Sequence, residues 1–184
     1  MTDLKLEIAQ ERPFSSLEEE ALLNLIRTAD CVNRAFHRQV RTWGVTSTQY
    51  NVLRILRGAH PSALACSEIG SRMIATDPDI TRLLGRLKAL KLIRQNRDRH
   101  DRRVVWTRIS DAGLELLQQM DPVVLRLPGE MLGNLTKQEL AELIRLLELG
   151  RSFSVQSEAT CALNPVAPAK ALADRPLSCD GRRA

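Results

Sequence analysis

The sequence predicts a mainly α-helical fold with a small β-wing, that is, an α+β winged helix-turn-helix with six helices. A short amphipathic helix begins near Asp77, and two strand-like segments, residues 92–93 and 104–109, follow it closely. The tip between these segments reads RDRHDRR and is polar throughout, as a solvent-exposed hairpin requires. A helix followed by a basic hairpin offers two elements to DNA, so DNA is the first partner to consider.

The composition fits one domain with a polyanionic partner. The chain has 184 residues, a formal charge of +5 and a pI near 9.4, and a mild positive charge favours such partners. Its four cysteines are far apart and form no CxxC or Cys/His cluster, so we expect neither structural zinc nor a disulfide framework. The sequence shows no apolar leader and no long apolar run. We therefore expect a cytoplasmic protein without a membrane partner, bound metal or cofactor.

The N-terminal part should consist of an arm and one long helix. Residues 1–14 are mostly polar and include Pro13, which predicts a flexible arm. Between Ser16 and Trp43 apolar residues recur at steps of three and four, the pattern of one amphipathic helix. Gly44 is the expected end of that helix, because glycine is the common residue just beyond a helix C-terminus.

A second and a third helix should follow. Thr46 or Ser47 caps the second helix, which ends near Gly58. Residues 63–66 could add a small strand, and residues 67–73 have the pattern of a short third helix. Together with the next helix, these elements predict a helix-turn-helix.

The fourth helix should begin with Asp77 as its N-cap and Pro78 at its first position, where the missing N–H costs nothing. Its inward side chains should be Ile80, Leu83 or Leu84, Leu87 and Leu90. Its opposite face carries Asp79, Thr81, Arg82, Gly85, Arg86 and Lys88.

The C-terminal part should hold two more helices and a tail. Ser110 caps the fifth helix, Pro122 should bend it, and Pro128 should end or interrupt it. The last helix should run from a capping box at Thr136 to Gly150. The divisions expected on these grounds are a flexible arm at 1–14, a winged-helix domain at 15–150 and a disordered tail at 151–184.

The stretch from Ile80 to Gly113 resembles the multiple-antibiotic-resistance-regulator (MarR) family of winged-helix transcription factors. The specific combination is DRR, followed seven residues later by SDAG, after a helix that could read DNA. The resemblance covers residues 16–150, in the order of the family's six helices. Lys91 replaces a family glycine, and Asp79 stands where a small residue is usual. An acid near phosphates is unfavourable unless it accepts from a cytosine N4–H or caps the helix. The residues at the family's spacing are Arg82, Leu87, Leu92, Ile93, Asp101, Arg102, Arg103 and Gly113.

The resemblance implies that the fourth helix enters the major groove of double-stranded DNA and that the wing tip reaches the adjacent minor groove. Thr81, Arg82 and Arg86 have the helical spacing to share a face and reach bases or phosphates, although a solvated face has the same pattern. Asp101 should brace an arginine across the hairpin, and narrow minor grooves attract arginine. The candidate DNA-binding residues are Ser67, Ser71, Asp79, Thr81, Arg82, Arg86, Arg99, Asp101, Arg102 and Arg103.

The resemblance also implies a twofold homodimer and a small-molecule effector. On that basis residues 45–113 form the DNA-binding lobe, and residues 15–44 and 114–150 form the dimerisation helices. Two reading helices would then meet half-sites about 10–10.5 bp apart. The effector class implied is phenolic or otherwise anionic and aromatic, although the same aromatics could be core and the same arginines surface. The candidate ligand-binding residues are His37, Arg41, Trp43, Tyr50 and Arg54.

The expected function is therefore a dimeric repressor that binds a palindromic operator and is released by a ligand, with three alternatives. A thiol-responsive regulator of the same fold would need a reactive cysteine. Cys31 lies next to apolar Val32 and should be buried, whereas Cys66 begins the third helix, whose dipole favours a thiolate. A winged-helix module that binds protein would have no need of the arginine-rich tip. An enzyme is not expected, because the sequence has no phosphate loop, HExxH motif or nucleophile beside a base.

Overall fold

A computed structural model describes residues 3–75 and 77–161 of the protein. The chain divides into two compact units, residues 1–133 and residues 134–184. The helices are α1 (Leu4–Glu7), α2 (Leu17–Arg41), α3 (Ser47–Ala59), α4 (Cys66–Ser71), α5 (Ile80–Ala89), α6 (Asp111–Val124), α7 (Leu127–Leu132) and α8 (Lys137–Cys161). The strands are β1 (Leu64–Ala65), β2 (Ile93–Arg97) and β3 (Val105–Ile109).

The three strands form one antiparallel sheet in the order β1–β3–β2, and this sheet is the wing. β2 pairs with β3 along its whole length, starting with Ile93 opposite Ile109, and β1 adds the pair Leu64 and Thr107. Thr107 and Ile109 are buried while Arg108 between them is exposed, as the alternation of a strand requires. The predicted fold class, a mainly α winged helix-turn-helix with a small β-wing, is confirmed.

The core of the first unit lies among α3, α4, α5 and α6, whose apolar stripes the sequence predicted. Replacing a buried leucine by alanine typically costs about 2–5 kcal/mol, so this core fixes the position of α5 firmly. The largest fully buried side chains are Leu53, Leu56, Ile69, Leu84, Leu87, Leu117, Met120, Val40, Val52 and Thr107.

The turn from the wing into α6 depends on Ser110 and Gly113. Ser110 Oγ accepts from the N–H of Gly113 at 3.1 Å and donates to the carbonyl oxygen of Lys91 at 2.7 Å. A Cβ on Gly113 would collide with the carbonyl oxygen of Leu92 and with the side chain of Ile109. Glycine is therefore required in the SDAG sequence. Lys91 itself has a φ of 61°, the left-handed region in which a glycine costs least.

The arm predicted at residues 1–14 holds a helical turn, α1, that the sequence did not predict. Asp3 caps this turn by accepting a backbone N–H at 3.0 Å, and Leu4 is buried. Glu7 Oε2 lies 3.3 Å from Arg27 Nε on α2. One cap and one apolar anchor are too short a pattern to stand out in a polar sequence.

Proline shapes the helices that follow the wing. Pro122 lies inside α6, and α7 begins at Leu127 with Pro128 in its first turn. The interruption predicted at Pro128 is therefore confirmed, although α7 was not predicted as a separate helix. A proline is tolerated in a first helical turn, where its missing N–H would have no partner within the helix.

The second unit contains α8. Thr136 and Glu139 form the predicted capping box, in which Glu139 Oε2 accepts from the N–H of Thr136 at 2.8 Å and Thr136 Oγ1 accepts from the N–H of Glu139 at 3.3 Å. The predicted end at Gly150 is wrong, because α8 continues to Cys161. A glycine costs a helix only about 1 kcal/mol relative to alanine and does not by itself break it. The rest of the predicted tail, residues 162–184, lies outside the described residues.

Candidate nucleic-acid interface

The reading helix α5 begins later than the sequence predicted. Its N-cap is Asp79, whose Oδ1 accepts from the N–H of Arg82 at 3.0 Å. Asp77, the predicted cap, instead accepts from the N–H of Asp79 at 2.9 Å, and Pro78 lies before the helix. A carboxylate at the cap satisfies a free N–H and favours the positive end of the helix dipole. Capping is thus the role that the structure shows for Asp79, a predicted DNA contact, and one of its two oxygens is used within the protein.

One face of α5 is buried and the opposite face is exposed. Leu83, Leu84 and Leu87 are buried, as predicted. The exposed side chains include two arginines, and neither Arg82 nor Arg86 has a carboxylate of the described residues within 4.0 Å. Both guanidinium groups therefore keep their donors available for a guanine or a phosphate. The exposed positions of the helix are Thr81, Arg82, Gly85, Arg86 and Lys88.

The wing tip is held by Asp98, which follows β2. Its Oδ1 accepts from the N–H of His100 at 2.8 Å and of Asp101 at 3.0 Å, and its Oδ2 accepts from Trp106 Nε1 at 2.8 Å. These bonds hold the pKa of Asp98 below its ordinary value, and the N–H of Asp101 has the largest effect. Sequence reasoning missed this residue. The signal that could have found it is an aspartate at the start of a tight turn, where the side chain commonly accepts from the backbone two residues on.

Asp101 does not brace an arginine side chain, contrary to the prediction. Its Oδ1 accepts from the backbone N–H of Arg103 at 2.9 Å, and no described guanidinium lies within 4.0 Å of its carboxylate. In a tight loop the N–H two residues on is the nearest donor to an aspartate. The arginines of the tip are exposed and have no carboxylate partner in the described part of the chain; they are Arg99, Arg102 and Arg103.

Ser67 and Ser71, the predicted phosphate contacts, are both exposed on α4. Ser71 Oγ donates to the carbonyl oxygen of Glu68 at 3.0 Å, so its hydroxyl proton is used within the helix. Ser67 is the better placed donor of the two. The turn between α4 and α5 is attached to α3, because the N–H of Ile74 donates to Asn51 Oδ1 at 3.1 Å.

Two neighbouring cavities lie among α2, α3 and the turn before α5, and His37 and Thr48 line both. The first has a volume of about 390 Å³ and combines the apolar side chains Phe36, Tyr50 and Ile74 with polar groups. His37 Nε2 lies 2.9 Å from Ser47 Oγ on its wall. The second has a volume of about 360 Å³, and its charged lining residues are Arg41, Asp77 and Arg86.

Of the predicted ligand-binding residues, His37, Arg41 and Tyr50 line these cavities, whereas Trp43 and Arg54 do not. Trp43 packs against the core. Arg54 Nη1 donates to the hydroxyl of Tyr50 at 2.8 Å, and its guanidinium lies 5.8 Å from the centre of that ring. Arg54 is one helical turn beyond Tyr50, so its side chain folds back onto the ring instead of reaching a cavity.

The cysteines also differ from the prediction. Cys31 is exposed on α2 and not buried, and Arg34 Nη2 lies 3.6 Å from its Sγ. An apolar neighbour in sequence, Val32, is a poor guide to burial because adjacent residues on a helix point in different directions. Cys66 is partly buried at the first residue of α4.

Known proteins place this geometry in a family. Residues 43–104, which hold α3, the reading helix and most of the wing, match the MarR_2 sequence family, described as the MarR family. A MarR transcription factor from Planctomyces limnophilus, known from its crystal structure, is 40% identical over a match that covers 74% of this chain and 99% of that one, with a TM-score of 0.59. The chain belongs to the MarR family.

Two MarR-like relatives extend the match. The HTH-type transcriptional regulator TtmR of Methylorubrum extorquens (strain PA1) is 33% identical over 106 residues, which are 58% of this chain and 53% of TtmR. This chain therefore spans about half the length of that relative. The HTH-type transcriptional regulator YkoM of Bacillus subtilis (strain 168) is 27% identical over 142 residues, which are 73% of this chain and 89% of YkoM. The predicted family, one of DNA-binding transcriptional regulators and not of enzymes, is confirmed.

The MarR match contains every candidate DNA-binding residue from Ser67 to Arg103. Most of α2 and all of α6, α7 and α8 lie outside it. Among the residues that the structure describes, no helix is both long enough and apolar enough to cross a membrane.

Proposed function

We propose that this MarR-family protein is a homodimeric transcriptional repressor that binds a palindromic operator and is released by a small anionic aromatic ligand. The observation that carries the proposal is the set of exposed arginines on α5 and the wing tip, which have no carboxylate partner among the described residues. A planar guanidinium with free donors matches a phosphate or the edge of a guanine in a bidentate manner.

The two basic elements suit two different grooves. Arg82 and Arg86 lie four residues apart on α5 and therefore share a face that fits the major groove. The arginines of the wing suit a narrow minor groove, whose negative potential is strongest there. Fold analogy agrees with this assignment: MarR from E. coli was solved in complex with operator DNA (23% identity, TM-score 0.62) and Sco3205 from Streptomyces coelicolor in complex with DNA (20% identity, TM-score 0.65).

The dimer is supported by an apolar stripe on α2. Leu22, Leu25 and Ile26 are 56%, 49% and 56% exposed. Farther along the same face, Phe36 and Val40 pack into the core, so the exposed stripe continues a buried one. An apolar stripe of this kind marks a protein interface, and a second copy would cover it through a twofold axis. α8 also exposes apolar side chains, namely Ile144, Leu146 and Leu149.

The ligand class follows from the two cavities. Phe36 and Tyr50 meet edge to face, with ring centroids 5.7 Å apart, and form an apolar wall suited to an aromatic ring. Arg41 and Arg86 in the neighbouring cavity attract a carboxylate or phenolate. A ligand that spans both cavities would contact α5 through Arg86. Binding to that residue would lower the affinity for DNA, because ligand and DNA would use the same side chain.

Two fold relatives are consistent with such a ligand. PcaV from Streptomyces coelicolor was solved in complex with its natural ligand, and the DNA binding of BpsR from Bordetella bronchiseptica is regulated by 6-hydroxynicotinic acid. Both are 23% identical to this chain, with TM-scores of 0.62 and 0.65. They support the fold in which a ligand can act, and the ligand class for this chain rests on its own cavity.

The proposal is tested by selecting a random-sequence duplex library on the immobilised protein and sequencing what binds. We expect a palindrome with half-sites about 10–10.5 bp apart and an affinity that falls steeply as salt rises. Hydroxylated benzoates should release the duplex, and the matching neutral amides should not. No binding to any duplex at ~50 mM salt, where phosphate contacts are strong, would favour the alternative of a winged-helix module that binds protein.

A thiol-responsive regulator of the same fold is the second candidate, because Cys31 is exposed. In that case a peroxide should lower the affinity for the selected duplex, a reductant should restore it, and Cys31→Ser should abolish the response. An affinity that peroxide leaves unchanged would remove this candidate.

A further inference from the structure

The wing tip is a closed loop of hydrogen bonds. The N–H of Asp98 donates to the carbonyl oxygen of Val104 at 2.9 Å, and the N–H of Val104 donates to the carbonyl oxygen of Asp101 at 3.0 Å. The carboxylate of Asp101 accepts from the N–H of Arg103. The backbone between the two strands is therefore held by bonds within the loop itself.

Asp98 ties this loop to the sheet. Its two carboxylate oxygens have different partners: Oδ1 accepts from two backbone N–H groups of the loop, and Oδ2 accepts from the indole N–H of Trp106 at 2.8 Å. Trp106 is partly buried on β3, where it lies opposite Asn96 in the strand register. One carboxylate thus joins the most exposed part of the wing to its most regular part.

This arrangement also decides which charges of the tip are available. Asp98 and Asp101 are the acids of the loop, and both spend their oxygens on N–H groups of the wing. The three exposed arginines of the tip have no described carboxylate within 4.0 Å. The acids therefore order the loop without neutralising its arginines.

We propose that Asp98 and Trp106 are positioning residues of the wing, which hold the tip in the shape that presents Arg99, Arg102 and Arg103 to a minor groove. This proposal rests on the proposed DNA binding and adds residues that themselves make no contact with DNA. A loop that is ordered before binding loses less conformational freedom when it binds, so more of the interaction energy appears as affinity. Because the tip serves the minor groove, the effect should be largest on duplexes whose minor groove is narrow.

The test uses Asp98→Asn, Trp106→Phe and the double variant. Asp98→Asn keeps an oxygen for the backbone N–H groups but replaces Oδ2 by an amide that cannot accept from the indole. Trp106→Phe keeps an aromatic ring and removes only the donor. Affinity is measured by fluorescence anisotropy on two duplexes of equal length, one with a central A-tract and one of mixed sequence. Asp111→Asn is the matched control, because it removes the same charge at an exposed ion pair with Arg94.

Each single variant should bind the A-tract duplex about 3- to 10-fold more weakly than the wild type, the loss expected for one hydrogen bond. The mixed-sequence duplex should be much less affected, and the double variant should lose no more than either single variant, because both act through one bond. Asp111→Asn should not reduce the preference for the A-tract. Thermal unfolding confirms that each variant is folded.

Folded single variants with wild-type affinity for the A-tract duplex would overturn the proposal, and so would losses that add in the double variant. An equal loss on both duplexes would also overturn it, since it would indicate a general defect and not a wing effect. A wild-type protein that does not distinguish the two duplexes would exclude the minor-groove role of the tip. A wild-type protein that binds neither duplex would instead defeat the proposed DNA binding itself.

Discussion

Arg57 on α3 and Asp121 on α6 form a bidentate ion pair, with Nη1 2.7 Å from Oδ2 and Nη2 3.0 Å from Oδ1. Each side chain is 30% exposed, and the hydrogen bonds to Asp121 raise the pKa of Arg57. The pair precedes Pro122, which has no N–H to donate within α6. It therefore fixes α6 against the DNA-binding lobe at a point where the helix's own hydrogen bonding is interrupted.

Removing one partner of this pair should destabilise the protein. Arg57→Gln or Asp121→Asn should lower the free energy of unfolding by about 1–3 kcal/mol, because the remaining group keeps its desolvation cost without its partner. Urea denaturation at a fixed protein concentration measures the loss. Arg94→Gln is the control: its pair with Asp111 has side chains 66% and 78% exposed, so it should cost less than about 1 kcal/mol. Equal losses in the two pairs would contradict the prediction.

Gly113→Ala should destabilise the wing-to-α6 turn by about 1–3 kcal/mol, since the added methyl group forces a shift of backbone at Leu92 and of the Ile109 side chain. The matched control is Gly58→Ala in α3, where a Cβ meets nothing within 4 Å. That change should stabilise the protein by up to about 1 kcal/mol, the helix propensity of alanine over glycine. Urea denaturation compares the two variants, and effects of the same sign would argue against this account of the turn.

The proposed dimer predicts a charge-sensitive stripe on α2. Leu22→Glu combined with Ile26→Glu should convert the protein to a monomer at micromolar concentration, because a carboxylate buried in an apolar interface loses its hydration without gaining a partner. Thr28→Glu, also exposed but on another face of the helix, should leave the dimer intact. Sedimentation equilibrium gives the masses. A wild-type protein that sediments as a strict monomer, or a dimer that survives the double change, would exclude this interface.

Arg103→Ala should weaken binding to all duplexes and reduce their salt dependence. If Arg103 neutralises one phosphate, the slope of log K against log salt should become shallower by about 0.9. Arg38→Ala is the control, because Arg38 is an exposed arginine of α2 outside the proposed interface. Binding isotherms at several salt concentrations supply the slopes. A slope that Arg103→Ala leaves unchanged would place this side chain away from the DNA.

The carboxyl group of Asp98 should titrate below its ordinary pKa of about 3.9, because the N–H groups of Asp101, Trp106 and His100 stabilise its charged form. Since the pKa is lowered in the folded protein, the bonds of Asp98 contribute stability at pH values above the ordinary pKa. This contribution is lost as the pH falls through the lowered value. Carboxyl-carbon NMR measures the midpoint, and Trp106→Phe should raise it. A wild-type midpoint at or above the ordinary value would contradict the geometry of the tip.

Patterns that depend on periodicity could be predicted well. The burial of Leu84 and Leu87, the position of the wing after α5 and the end of α2 at Gly44, whose φ is 75°, all agree with the sequence. An amphipathic stripe must face a core whatever the details of its neighbours. A glycine beyond a helix likewise has a local reason that needs no tertiary contact.

Roles that depend on loop geometry could not be predicted. The choice between Asp77 and Asp79 as the cap of α5, and between Asp98 and Asp101 as the brace of the wing, turned on which N–H lies within about 3 Å of which oxygen. Both members of each pair are aspartates close together in sequence, so composition and spacing do not separate them. The exposure of Cys31 was missed for a related reason, because burial depends on which face of α2 meets the core.

The sequence by itself determined the winged-helix class, the family and the basic surface of α5 and the wing, because these follow from periodicity, turn residues and charge. Only the tertiary structure decided which acids are engaged. Asp79 caps the reading helix and Asp98 joins the tip to Trp106, and the arginines beside them are left without carboxylate partners among the described residues. Hydrogen-bond partners are set by distances of a few tenths of an ångström in loops, and a one-dimensional pattern does not carry that information.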